Sequence, residues 1–215
     1  MPHSEIALGR VAARRAATVT QILDHAEAIL NERGAGAVTI SEIARRMRMR
    51  APSIYKYFES LNAVYDALFA RGQALLIAYV EESIREREPG LDSLLEGSRA
   101  FARWTTREVG LASLMFWRPV PGFRPSASTY AVAQELVRAA REQLAAAVRR
   151  GELSDDAGSD SAYRLLTVLL AGIFSQQAAN EPGAGFEDGM FTSLTEQVLQ
   201  MFVMQFPPTT GKDGP

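Results

Sequence analysis

An all-α fold is predicted for this 215-residue chain: three short helices at the N-terminus, then a longer helical bundle. Three observations carry that expectation. Apolar residues recur at helical spacing in Ile22, Ala26, Ile29 and Leu30. Thr39-Ile40-Ser41-Glu42 has the spacing of a capping box. Beyond residue 60 the chain divides into long helix-forming runs separated by Gly and Pro breaks.

The first helix is expected from about Ala13 to Arg33, where Gly34 and Gly36 end it. In the capping box the Thr39 hydroxyl is expected to accept from the Glu42 amide while the Glu42 carboxylate reaches back to the Thr39 amide, with Val38 and Ile43 at the staple positions. Ile40, Ile43, Ala44 and Met47 give the second helix barely two turns of inward face before a break at Arg48 and Met49. A third helix begins near Pro52, because proline is tolerated in a first turn, and the pair Ile54 and Phe58 holds it on its neighbours. The body then reads as helices over Ala63 to about Arg87 and, after Pro89-Gly90, over Leu91 to about Glu108. Gly110 separates the apolar stretch "LASLMFW". The prolines of "RPVPGFRPS" forbid a continuous helix, so a stiff loop is expected there. Helices over Ser126–Arg150, Tyr163–Gln177 and Phe191–Phe206 follow. Residues 1–9 and 207–215 are expected to be disordered tails, flanking a domain over 10–60 and a second over 61–206.

Composition narrows the chemistry. With 47% hydrophobic and 22% charged residues the chain reads as soluble and globular. It has no cysteine, which removes disulfides and thiolate metal sites, and His3 and His25 are its only histidines. No cofactor or metal site is expected. The N-terminus lacks the pattern of a secretory signal, and the longest uncharged apolar run, Leu165–Phe174, is well short of the ~20 residues of a membrane helix, so a cytoplasmic protein without a membrane partner is expected. Charge is uneven: residues 1–60 hold nine Arg and Lys against six Asp and Glu, +3, which leaves −5 for the rest and −2 overall. An acidic body with one basic face can approach phosphates by that face alone.

The basic stretch is "TISEIARRMRMRAPSIYKYF", residues 39–58. Two short helices joined by a tight turn have the geometry of a helix-turn-helix, whose second helix enters the major groove. Ser53, Lys56 and Tyr57 are its expected outward positions, and Arg45, Arg46, Arg48 and Arg50 lie on or beside the turn, where they could neutralise phosphates. In "TISEIARRM" followed by "RAPSIYKYF", with "IL", "A" and "G" ahead of "VTI", residues 18–68 resemble the TetR family of transcriptional regulators. The resemblance implies phosphate contacts from Thr39, Ser41, Tyr55 and Tyr57, and places Ala51, Pro52, Ser53 and Lys56 where family members approach base edges. Three residues depart from the family pattern: Arg48 for the turn glycine, Arg50 for a serine-like cap, and Leu61 for a phosphate-gripping lysine. Left-handed backbone at Arg48 is expected to cost about 1 kcal/mol.

The resemblance further implies a repressor that binds double-stranded DNA at a palindromic operator, with a C-terminal body that binds a small-molecule effector and forms a homodimer. Phe101, Trp104, Phe116, Trp117, Phe123 and Tyr130 cluster beside the proline-rich loop, and with Leu170, Phe174 and Gln177 they are the expected lining of a pocket for an apolar or aromatic effector. The same aromatics at helical spacing also read as plain core. Gln176 and Asn180 are further candidate anchors. Apolar residues nearly surround the Tyr163–Gln177 helix, so a second copy is expected to cover part of it; Leu166, Ile173, Leu194, Val198, Met201 and Phe202 are the expected interface, unless both helices are buried within one subunit. Two other classes remain open at this stage: a helical interaction protein that no longer binds DNA, and an all-helical enzyme, for which Glu108 is the candidate acid.

Overall fold

A computed structural model describes the backbone of residues 2–208 and the side chains from residue 10. Nine helices occur among the described residues: α1 (Pro2–Arg33), α2 (Ile40–Arg46), α3 (Ala51–Ile54), α4 (Leu61–Ile84), α5 (Leu91–Arg107), α6 (Val109–Trp117), α7 (Ala127–Arg149), α8 (Asp160–Asn180) and α9 (Thr195–Gln205). One-turn 3-10 helices stand at Ala35–Ala37, Asp155–Gly158 and Thr192–Leu194, and the described residues contain no strand. The fold is all-α, as expected. Helix α1 starts well before Ala13, because Pro2 is acceptable in a first turn and Glu5, Ala7 and Leu8 are good helix formers. Residues 2–9, expected as a tail, are therefore continuous with that helix. Of the expected C-terminal tail, residues 209–215 lie outside the described residues.

The chain forms two compact units, one of residues up to Gly72 together with Gly110–Tyr130, the other of Gln73–Val109 together with the chain from Ala131 onward. In the first, Ile22, Ala26, Ile29 and Leu30 of α1 meet Ile40, Ile43 and Ala44 of α2, Ile54 of α3, and Val64, Leu68 and Phe69 of α4 in a buried core. Complete burial of each such aliphatic side chain contributes roughly 2 kcal/mol. Polar ties fix the register. The Tyr65 hydroxyl donates to the Ala35 carbonyl at 2.8 Å, and Arg71 bonds Asp24 at 2.7 Å and Glu27 at 2.9 Å. Gly110, expected as a separator, lies inside α6; its N–H donates to Asn31 Oδ1 at 3.1 Å, and a Cβ there would collide with that amide. The proline-rich loop ends where Asp66 accepts from the Ser126 amide and hydroxyl, at 2.8 and 2.9 Å, and from the Thr129 hydroxyl at 3.0 Å, which anchors the start of α7.

By length and composition α4 is apolar enough to cross a membrane, although Asp66 and Arg71 interrupt its apolar run. Arg71 is ion-paired with Asp24 and Glu27, Asp66 is hydrogen-bonded by Ser126 and Thr129, and Val64, Leu68 and Leu76 are buried, so this apolarity is that of a core helix.

The second unit is built around Leu94, Leu144, Ala147, Leu153, Leu166, Leu199, Phe202 and Phe206, with the rings of Phe202 and Phe206 5.1 Å apart. Gly90 precedes α5 with φ 150°, and the Glu152 carboxylate accepts from the Leu91 amide at 2.7 Å, so an acidic side chain from elsewhere in the chain caps α5. Ser159 caps α8, three residues before the expected start, by accepting from the Ala162 amide at 3.2 Å.

A candidate nucleic-acid interface

The basic segment folds as a sequence of caps. Thr39 is extended, with φ −135° and ψ 152°, and its hydroxyl accepts from the Glu42 amide at 3.1 Å, which starts α2. The reciprocal half of the capping box is a correction. Glu42 turns its carboxylate to arginine, bonding Arg45 twice at 2.7 Å and Arg46 at 3.3 Å, because two guanidinium forks within reach outcompete one neutral amide. Arg46 also holds Glu32, at 3.0 and 2.5 Å. Arg45 and Arg46, expected among the phosphate neutralisers, thus have their charge answered within the domain.

Helix α2 ends in a Schellman motif: the Met49 N–H donates to the Ala44 carbonyl at 2.8 Å and the Arg48 N–H to the Arg45 carbonyl at 3.1 Å. The residue between is Arg48 at φ 55°, the left-handed position anticipated for it. Arg50 then leads into α3 with extended backbone and no side-chain cap, as its lack of an acceptor requires. Helix α3 is a single turn with Pro52 in it, prolonged by the Tyr57 and Phe58 amides donating to the Ile54 carbonyl at 2.8 and 3.1 Å. Buried Ile54 and Phe58 hold the turn down. Thr39, Ser41, Arg48, Arg50, Pro52, Tyr55 and Lys56 are exposed, while Ala51, Ser53 and Tyr57 are half-buried. Arg48 and Arg50 make no ion pair with described residues. Leu61, half-buried, opens α4 beside Ser60, whose hydroxyl accepts from the Ala63 amide at 3.1 Å.

Arg15 joins this surface and was not legible in the motif. From α1 its Nη1 donates to the Lys56 carbonyl at 2.9 Å, and its guanidinium stands 5.2 Å from the centre of the Tyr57 ring. The trace in the sequence is that Arg15 lies seven residues, two helical turns, before the buried Ile22.

The hydrogen bonds from Arg45, aided by Arg46, hold the Glu42 carboxyl down from 4.5 to about 2. A carboxylate lowered by folding stabilises fully above its unfolded value and loses that contribution as pH falls through the folded one. Between pH 4.5 and about 2 the wild type should therefore lose a stability increment that Glu42→Gln never has, and the two unfolding midpoints should converge in that window. Parallel midpoints throughout would show the pairing to be energetically silent.

The expected effector-pocket residues divide between the two units. Phe116, Trp117 and Tyr130 are exposed on the first unit. Phe123 is buried there with its ring 5.6 Å from that of Tyr65, an aromatic of the core. In the second unit Trp104 is buried, Phe101 half-buried, and Leu170 packs against the core of α8 and α9. Phe174 and Gln177 do meet, at a partly open cleft with Thr105, Thr106, Val109 and Glu181 that holds about 10 Å³, room for a single water. Gln177 is a structural clamp: its Oε1 accepts from the Phe191 and Thr192 amides at 3.0 and 3.3 Å, and its Nε2 donates to the Glu181 carbonyl at 3.0 Å. Asn180 bonds back to Gln176 within α8. Glu108 caps the end of α5 beside Arg107, at 3.4 Å.

Three of the six expected interface residues are interior: Leu166, Ile173 and Phe202 are buried within this chain. Val198 is half-buried, and Leu194 and Met201 are exposed. Helix α8 is apolar on so many sides that composition does not say which side faces its own unit. The burial does: Leu165 and Val168 face out from α8, beside Gly172, whose surroundings would leave a Cβ in open space.

Comparison with known proteins agrees with the segment just described. Residues 22–68 match the family model of bacterial regulatory proteins, tetR family. An uncharacterized HTH-type transcriptional regulator of Bacillus subtilis, YobS, is 27% identical over 93 residues, 43% of this chain and 48% of that protein. The chain spans about half the length of the curated relatives it matches. Among solved structures, the TetR family transcriptional regulator PfmR from Thermus thermophilus aligns with a TM-score of 0.65 at 17% identity, over 85% of this chain and 97% of that one. The transcriptional regulator FadR from Bacillus subtilis, solved in complex with stearoyl-CoA, aligns with a TM-score of 0.65 at 18% identity, over 86% and 97%. The resemblance read from residues 18–68 is borne out in the segment and in the fold: residues 22–68 match a tetR-family helix-turn-helix model, and the all-helical architecture aligns with solved structures of TetR type.

Proposed function

We propose that this protein is a DNA-binding transcriptional regulator, a cytoplasmic repressor that binds a palindromic operator as a homodimer and is controlled by a small apolar or aromatic effector. The observation that carries the reading is the Schellman turn at Arg48, which delivers Ser53 on a one-turn helix, and Lys56 and Tyr57 on the turn that prolongs it, beside the exposed Arg48 and Arg50. Lysine and serine hydrogen-bond base edges, and arginine neutralises phosphate. Residues 10–60 are the proposed DNA-binding domain and 61–206 the effector-binding and dimerisation domain. Helices α8 and α9 support the dimer, since Leu165, Val168, Leu194, Met201 and Met204 are exposed on one unit and a second copy would cover them. The narrow cleft at Phe174 implies that an effector entering there displaces side chains, so binding and conformational change are coupled. No membrane partner and no catalysis enter this reading.

Selection from a random duplex pool tests it. The expected product is a palindrome with half-site centres about one DNA turn, roughly 34–36 Å, apart. A pool that emerges without enrichment, at several salt concentrations, would remove DNA recognition.

A further inference from the structure

We propose that Arg15 is a positioning residue for base readout: its bond to the Lys56 carbonyl and its stacking on Tyr57 fix the end of the one-turn helix that enters the groove. The inference rests on the DNA-binding reading above. Helix α3 ends at Ile54, and Lys56 lies in the turn that follows, where no continuing helix gives its carbonyl a donor. Arg15 supplies a donor from a position 41 residues away in sequence. The same guanidinium covers the Tyr57 ring with its centre at 5.2 Å, within cation–π range. One side chain therefore sets both the peptide plane that follows Lys56 and the ring of the next residue. Arginine suits the task, because its flat fork donates along its edge while its face stacks, which lysine cannot do.

The rigidity behind the contact comes from α1. Two turns beyond Arg15 the helix is locked by fully buried Ile22, Ala26 and Ile29, so the guanidinium is presented from a fixed rod. Its carbonyl and ring contacts orient it on α3, which distinguishes it from a cation held only by phosphate. Lys56 and Tyr57 are the residues through which it would act.

The test uses the full chain, the best duplex from the random-pool selection, and a duplex of scrambled sequence. For Arg15→Ala the preference for the selected duplex should fall about tenfold, the scale of one mismatched base pair. Affinity for the scrambled duplex and its salt slope should stay at the wild-type value, and Arg15→Lys should recover only part of the preference. In the free protein, amide hydrogen exchange at Tyr57 and Phe58 should quicken in Arg15→Ala with the thermal midpoint little changed. An equal loss on both duplexes with the salt slope reduced by about one ion would make Arg15 a phosphate contact and overturn the proposal. Unchanged preference would overturn it as well. If wild type discriminates no duplex, the DNA reading itself fails, and the exchange experiment still reports whether the clamp exists.

Discussion

Val168→Glu and Met201→Glu should each give a folded chain that sediments as a monomer and binds the selected operator at least a hundredfold more weakly than wild type. Both residues are well exposed on the single chain, at 66% and 56%, so a glutamate in either place costs the isolated unit little. On an apolar interface the same glutamate is duplicated by the two-fold axis, and two desolvated like charges oppose closure. Losing the partner converts the second half-site from an intramolecular contact at roughly millimolar effective concentration into an independent event, which forfeits on the order of 10² or more in affinity. Phe202→Glu is the contrasting substitution. Phe202 is fully buried against Phe206 and Leu199, so a carboxylate there should unfold the second unit rather than split a dimer. Sedimentation and circular dichroism on the three variants separate the outcomes; dimeric Val168→Glu and Met201→Glu with wild-type operator affinity would place the proposed interface elsewhere.

That contrast also shows where the sequence stops informing. Caps and turns are local, and they were legible: Thr39 caps α2, Arg48 takes the left-handed position, and Ile54 with Phe58 anchors the third helix. Each is fixed by bonds within a few residues. Which side of α8 is interior is a tertiary matter, because Leu165, Leu166, Val168, Leu170, Ile173 and Phe174 cover well over half of its circumference, and only packing chooses among them. Packing puts Phe202 and Ile173 inside this chain. The aromatic set is a tertiary matter too: Phe123 and Trp104 are near in sequence, and each is buried in a different compact unit. Glu42 fits a capping box by spacing, but the spacing is blind to Arg46, whose second partner, Glu32, comes from α1. Arg15 was invisible as a functional residue because its partner is a carbonyl, and every residue has one.

The substitutions around the turn should separate stability from DNA affinity more sharply than any others in the chain. Arg48→Gly relieves a left-handed backbone that costs about 1 kcal/mol, so the first unit should become more stable; it also removes an exposed cation, so affinity for every duplex should fall and the salt slope should flatten by about one ion. A more stable protein that binds more weakly is not produced by general damage to the fold. Arg48→Ala should show the same loss of affinity, because the charge goes, while the left-handed backbone remains to be adopted by a residue with a Cβ. Tyr57→Ala should weaken all duplexes and, because it removes the ring on which Arg15 stacks, should also lower the preference for the selected one. Lys56→Ala should act differently: Lys56 is exposed on the last turn of the recognition segment, and losing a base-edge donor should change which sequences are selected, with about 1–3 kcal/mol of discrimination lost at the position it reads. Titrations of selected and scrambled duplexes at three salt concentrations, beside urea unfolding of each variant, measure every one of these terms. Wild-type affinity and preference in both Lys56→Ala and Tyr57→Ala would exclude α3 as the recognition helix, whatever the turn at Arg48 does.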